Sequence, residues 1–126
     1  MTLTELTVVA NNYTDENFDT EYTLEFANAA ISKINLYLKS TLPFFTDPSI
    51  DYTALSESWQ RSIFVPYICW AIKMNDSSIE EAREYLFQYQ EGLDLLKKNK
   101  KSAIPELYRG TGFTNVYPIN QYKVGG

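Results

Sequence analysis

The side chains that could do chemistry are few. Asp15, Glu16 and Asp19 place carboxylates close together in sequence, and paired carboxylates can act as general acid and base or hold Mg²⁺. They fall, however, in a polar run that feeds a helix start, where carboxylates are favoured without any ligand. Gly110-Thr-Gly112 is a G-x-G with neither a third glycine nor a helical pattern after it, which is too little for a phosphate loop. Cys69 sits in the most apolar stretch of the chain and is expected to be a packed, inert thiol. Lys97, Lys98, Lys100 and Lys101 form a basic cluster. Cations suit a helix C-terminus, and four lysines are too few to define a phosphate-binding surface.

What is missing decides more. Among 126 residues there is no histidine and one cysteine. That excludes an intrachain disulfide, a Cys/His zinc site and any nucleophile activated by histidine. The composition disfavours an enzyme, and no cofactor or metal is expected. Eleven basic against sixteen acidic residues give a net charge of −5, which argues against a dedicated nucleic-acid binder. The charge is uneven: residues 1–60 carry −7 and residues 61–126 carry +2. The start, Met1-Thr-Leu-Thr-Glu5, has no basic n-region or apolar core, so a cytoplasmic setting is expected. The longest apolar run, Ile63 to Ile72, is ten residues, too short to span a membrane.

The elements that would position these residues are helical. Thr2 with Glu5 forms a capping box for a short first helix over Leu3 to Ala10, and the polar stretch Asn11 to Asn17 reads as a loop. Leu24, Ala27, Ile31, Ile34 and Leu38 recur at alternating spacings of 3 and 4, predicting a second helix from Thr20 to Leu42. A third helix is predicted over Tyr52 to Met74, with Asp47 (followed by Pro48) or Asp51 as its cap. Its second half is apolar on every side, which marks the central helix, although that half alone also suits a buried strand. Pro66 predicts a kink or break there. The fourth helix opens at Ser77 or Ser78 and carries Ile79, Ala82, Leu86, Tyr89, Leu93 and Leu96 at helical spacing. Gly92 costs it about 1 kcal/mol relative to alanine.

The expected fold is therefore all-α: a small bundle of about four helices, the first short and three longer, over residues 1–101. Residues 102–126 form an extended C-terminal tail, punctuated by Pro105, Gly110, Gly112 and Pro118. The tail is too aromatic for a passive linker. Tyr108, Phe113, Val116, Tyr117, Ile119, Tyr122 and Val124 are its candidate docking residues, either on this domain's own surface or on a partner protein. Ten tyrosines exceed what one small core can hold, so some are expected at subunit contacts.

A short helix opened by Thr-Leu-Thr-Glu-Leu, an acidic loop at Thr14-Asp15-Glu16 and the phrase Ala-Asn-Ala-Ala-Ile-Ser-Lys-Ile-Asn-Leu-Tyr-Leu over 27–38 precede two packed helices and an extended tail. This pattern resembles the head–tail adaptor (connector) proteins of long-tailed bacteriophages. The resemblance implies a non-enzymatic neck protein of the virion, assembled in the host cytoplasm. It implies a ring, twelve-membered in that family, that binds the portal protein, extends the DNA channel and receives the next neck or tail protein. In that family the C-terminal segment reaches onto the portal, which would give the 104–124 anchors a purpose. DNA would be passing cargo, and the acidic surplus of residues 1–60 would suit a channel wall that lets it slide. The alternative is a small helical interaction or regulatory module of a bacterium or prophage that forms no ring.

Overall fold

The computed structural model describes residues 1–110. Five helices and one 3-10 turn follow in order: α1 (Leu3–Thr14), α2 (Thr20–Leu38), α3 (Glu57–Asn75), α4 (Ile79–Lys98), α5 (Lys100–Ala103) and the turn Glu106–Tyr108. No strand occurs among the described residues. The all-α bundle that the periodicity predicts is the observed fold.

Local chemistry sets the ends of each helix. At α1 the capping box forms in full: Glu5 N–H donates to Thr2 Oγ1 at 3.1 Å, and Thr2 N–H donates to Glu5 Oε1 at 2.9 Å. The helix runs one turn beyond its predicted end at Ala10. The Thr14 hydroxyl is buried and donates to the Ala10 carbonyl at 2.8 Å, so this polar turn has its hydrogen bonds satisfied inside the bundle. Asp15 then turns left-handed (φ 56°) and ends it. The second helix stops at Leu38, four residues before its predicted end, with Lys39 left-handed (φ 55°). Asn35 explains the stop. Its Oδ1 accepts from the Leu42 N–H at 2.8 Å and the Ser40 hydroxyl at 2.9 Å, and its Nδ2 donates to the Leu42 carbonyl at 3.0 Å. The side chain thereby takes over pairing that further helix would have supplied.

The third helix starts five residues later than predicted. Ser56, rather than Asp47 or Asp51, is its cap, accepting from the Trp59 N–H at 3.4 Å. The preceding segment, 39–56, is instead threaded into the core. Leu42, Phe45, Tyr52, Ala54 and Leu55 are all buried there. The Ser49 N–H and hydroxyl donate to Asp47 Oδ1 at 2.8 and 2.7 Å, and these two hydrogen bonds hold the carboxyl below the usual range.

The third helix is central, as its all-round apolar half predicts: it packs against α1, α2 and α4. It runs through Pro66 without the predicted break. Proline there leaves the Ser62 carbonyl without its helical donor, and α4 closes on that spot through Gly92. A Cβ at Gly92 would lie 2.5 Å from the Ser62 carbonyl oxygen. The glycine that weakens α4 by propensity is thus what lets the two helices touch.

Beyond α4 the chain stays on the bundle. Ile104 is only 1% exposed, the Thr41 N–H donates to the Tyr108 carbonyl at 2.8 Å, and the Arg109 guanidinium donates to the carbonyls of Ile104 (2.8 Å) and Lys101 (2.7 Å). The packed unit therefore reaches at least to Gly110, past the 101/102 boundary that composition suggests. Gly110 (φ 76°) lies so close to the Lys39 carbonyl that a side chain would not fit.

Candidate functional site

The carboxylates singled out in the sequence lie at helix ends. Asp15 caps α1, and Asp19 occupies the cap of α2 without a side-chain hydrogen bond. Glu16 faces Lys73 of α3 at 3.7 Å, and Glu81 of α4 faces the same ammonium at 3.4 Å. Lys73 is only 7% exposed. Burial pulls its pKa down, but Glu81, Glu16 and Asp76 more than offset this and hold the ammonium above its usual value. The Glu16 carboxyl is raised, first by a hydrogen bond with Asp76, then by partial desolvation and by the Asp76 charge. The Glu16–Asp76 contact therefore stabilises the fold below the ordinary carboxylate pKa and loses that contribution as pH rises through the raised value. Among the described residues no group of His, Cys, Asp or Glu is arranged to hold a metal ion.

Cys69 is fully buried with its thiol directed to the Ala10 carbonyl at 3.8 Å. Desolvation pushes it up to about 12, so it is protonated at neutral pH and unreactive. Above it lies a cleft of about 400 Å³ between α1, α3 and α4, with Val65 and Pro66 in its floor and Tyr13, Arg61 and Tyr85 around it. The Tyr85 hydroxyl donates to the Tyr13 carbonyl at 3.1 Å.

Of the candidate docking residues, Tyr108 is half-buried against the bundle's own core, held by its backbone bond to Thr41. Phe113, Val116, Tyr117, Ile119, Tyr122 and Val124 lie outside the described residues. The tyrosines expected at contacts divide. Tyr52 and Tyr89 are core, while Tyr13, Tyr22 and Tyr37 are exposed. Among the described residues Leu36 (84% exposed) and Leu107 (77%) are the most exposed large apolar side chains, and neither stands out by type or spacing in the sequence.

These exposed apolar residues gather at the two ends of the bundle, among charged side chains. At one end the α1–α2 turn, carrying Asp15, Glu16 and Asp19, meets Asp76 of the α3–α4 turn and Glu80 and Glu81 in the first turn of α4, through the Lys73 contacts. Tyr13, Tyr22, Met74 and Ile79 are exposed there. At the other end the last turns of α2 and α4 meet. The Lys97 ammonium lies 4.8 Å from the Tyr37 ring centroid, Lys100 Nζ donates to the Leu38 carbonyl at 2.6 Å, and Lys98 and Lys101 are exposed beside them. The sequence carries the charge asymmetry, but only the topology brings the two acidic turns together and the lysines to the opposite end.

The fold defines the class: a small all-α bundle with apolar side chains exposed among the charges at its ends. No family model, no curated protein and no solved structure matches this chain. Among the described residues no helix is long and apolar enough to cross a membrane.

Proposed function

We propose that this protein is a structural adaptor of the head–tail type. It would bind a portal ring, line the DNA passage beyond it, and offer a platform to the next neck or tail protein in the virion. It works through surfaces and not through catalysis. The observation that carries this reading is the exposure of Leu36, Leu95 and Leu107 at one end of the bundle and of Tyr22 and Ile79 at the other. Apolar groups placed so among charged ones are the composition of a protein interface. The resemblance of most of residues 1–100, in architecture and phrasing, to the adaptor pattern supplies the particular assembly.

The test is electron microscopy and co-sedimentation of the full chain with purified portal rings, beside a chain ending at Gly110. The cut belongs there because Ile104 and Tyr108 are part of the packed bundle. Density on the portal with the full chain, lost with the shortened but still helical chain, is the expected result. A full chain that leaves the portal bare would overturn the adaptor reading in favour of a non-ring interaction module. Equal binding by both chains would remove the role given to Phe113, Tyr117 and Tyr122.

A further inference from the structure

Helices α2 and α4 both pack on α3 and hardly touch each other. A groove of about 400 Å³ is left between them, lined by Tyr37 of α2 and by Tyr89, Gln90, Leu93 and Asp94 of α4. Two contacts cross it. The Tyr37 hydroxyl donates to Asp94 Oδ1 at 3.2 Å, and the Lys97 ammonium lies 4.8 Å from the Tyr37 ring centroid. Tyr37 therefore already meets both of these charges.

One polar group of the groove is unmet. Tyr89 is only 5% exposed, yet its hydroxyl has no hydrogen-bond partner among the described residues. Burial, with Tyr67 adding to it, pushes its pKa up to about 12, so the oxygen keeps its proton and offers a donor that nothing receives. The ring is held edge to face against Tyr67 of α3 at 5.0 Å, so the hydroxyl reaches water only by giving up that contact. A buried donor is costly to leave in this state.

The chain leaves the described bundle beside this groove. The Thr41 N–H donates to the Tyr108 carbonyl at 2.8 Å, and Gly110 lies against the carbonyl of Lys39, two residues beyond Tyr37. Residues 111–126 follow. Fully extended, a segment of that length reaches about 50 Å, whereas Lys97 and Tyr89 are about 12 Å apart along α4. From Thr111 to Tyr122 there is no charged side chain, which suits a groove whose charges are already met. Phe113 and Tyr117 would fall on one face of an extended segment, and its backbone carbonyls, without a ladder, would need donors.

We propose that the segment after Gly110 folds back into the α2–α4 groove of its own bundle. Phe113 and Tyr117 pack there against Tyr37 and Leu93, and a backbone carbonyl accepts from the Tyr89 hydroxyl. The docking needs neither a portal nor a second copy, so it does not rest on the adaptor reading. Where that reading holds, the portal draws the same residues out of the groove and binding exchanges one contact for another.

Amide hydrogen exchange of the full chain, dilute and without any partner, tests this. The amides of Phe113 to Tyr117 should exchange at least about tenfold more slowly than in an unstructured peptide of the same sequence, and equally so at every protein concentration. Phe113→Ser with Tyr117→Ser, which alters no residue of the bundle, should remove that protection and leave the helical circular dichroism unchanged. Tyr89→Phe gives the second measurement. In the parent chain it takes away a hydrogen bond and should lower the urea midpoint. In the double-serine chain it takes away only an unpaired buried hydroxyl, and the midpoint should hold or rise. Exchange at the unstructured rate, or the same midpoint shift in both chains, would overturn the proposal. Protection that grows with protein concentration would also overturn it and give the groove to the tail of a second copy. Portal binding by a chain whose tail shows no protection would leave the adaptor reading standing alone.

Discussion

The segment 39–56 and helix α4 have exchanged the usual roles of loop and helix. The segment has no regular structure yet buries Leu42, Phe45, Tyr52, Ala54 and Leu55. The helix is the most regularly patterned stretch of the chain yet leaves Ile79, Phe87 and Leu95 more than half exposed. A buried irregular segment must find partners for its backbone groups outside any ladder, and here three amide side chains provide them. Asn28 pairs with both backbone groups of Phe45 (2.8 and 3.0 Å), and Asn35 does the same for Leu42. The Gln60 amide donates to the carbonyls of Tyr52 (2.9 Å) and Leu55 (2.7 Å). Regular backbone satisfies itself, so α4 can afford to face outward. The difference teaches that burial here follows amide pairing and not regular backbone, while exposed apolar surface lies on the most regular element.

Two phenylalanines put this to the hardest test. Phe45 lies in the irregular segment at 5% exposure, tilted by 30° against Tyr52 at 4.7 Å and edge-on to Phe64 at 5.8 Å. Phe45→Ala should cost about 3–5 kcal/mol of unfolding free energy, read from urea denaturation, because it opens a cavity against α3. A loss below about 1 kcal/mol would mean the segment is not the core element described above.

A smaller loss is expected at Asn35. Asn35→Ala removes the partners of the Leu42 N–H and carbonyl and of the Ser40 hydroxyl. Leaving such groups unpaired costs about 1–3 kcal/mol. Amide hydrogen exchange should localise the effect, with the Leu42 N–H losing protection well before the amides of α3. Uniform loss across the bundle would show that Asn35 contributes to global stability and does not clamp this segment.

Most of the helices are legible in the sequence because an apolar residue every third or fourth position leaves few alternatives, as Ile31, Ile34 and Leu38 do in α2. The buried segment is not legible, since Leu42, Phe45, Tyr52 and Leu55 follow no period and their partners Asn28, Asn35 and Gln60 look like surface residues. Asp47 and Asp51 compete as caps with Ser56, and only the depth of Tyr52 and Leu55 in the core decides for Ser56. Gly92 is visible as a cost, but its benefit depends on Ser62 of another helix. The charge imbalance can be counted from the chain, whereas the meeting of Glu16 and Glu81 at Lys73 is a property of the topology.

The smallest effect belongs to Phe87, at the middle of α4's outer face and 56% exposed. Phe87→Ala uncovers little new apolar surface, since more than half the ring is already in water. Alanine also outranks phenylalanine as a helix former, by about 0.5 kcal/mol at an exposed position. The two terms nearly cancel, so the unfolding free energy should shift by less than about 0.5 kcal/mol in either direction. The same substitution at Phe45 is expected to cost several times more. If Phe87→Ala were to cost as much as Phe45→Ala in dilute solution, the ring must already be covered by another molecule. Repeating the measurement over a range of protein concentrations would then expose that contact, because a stability that depends on association rises with concentration.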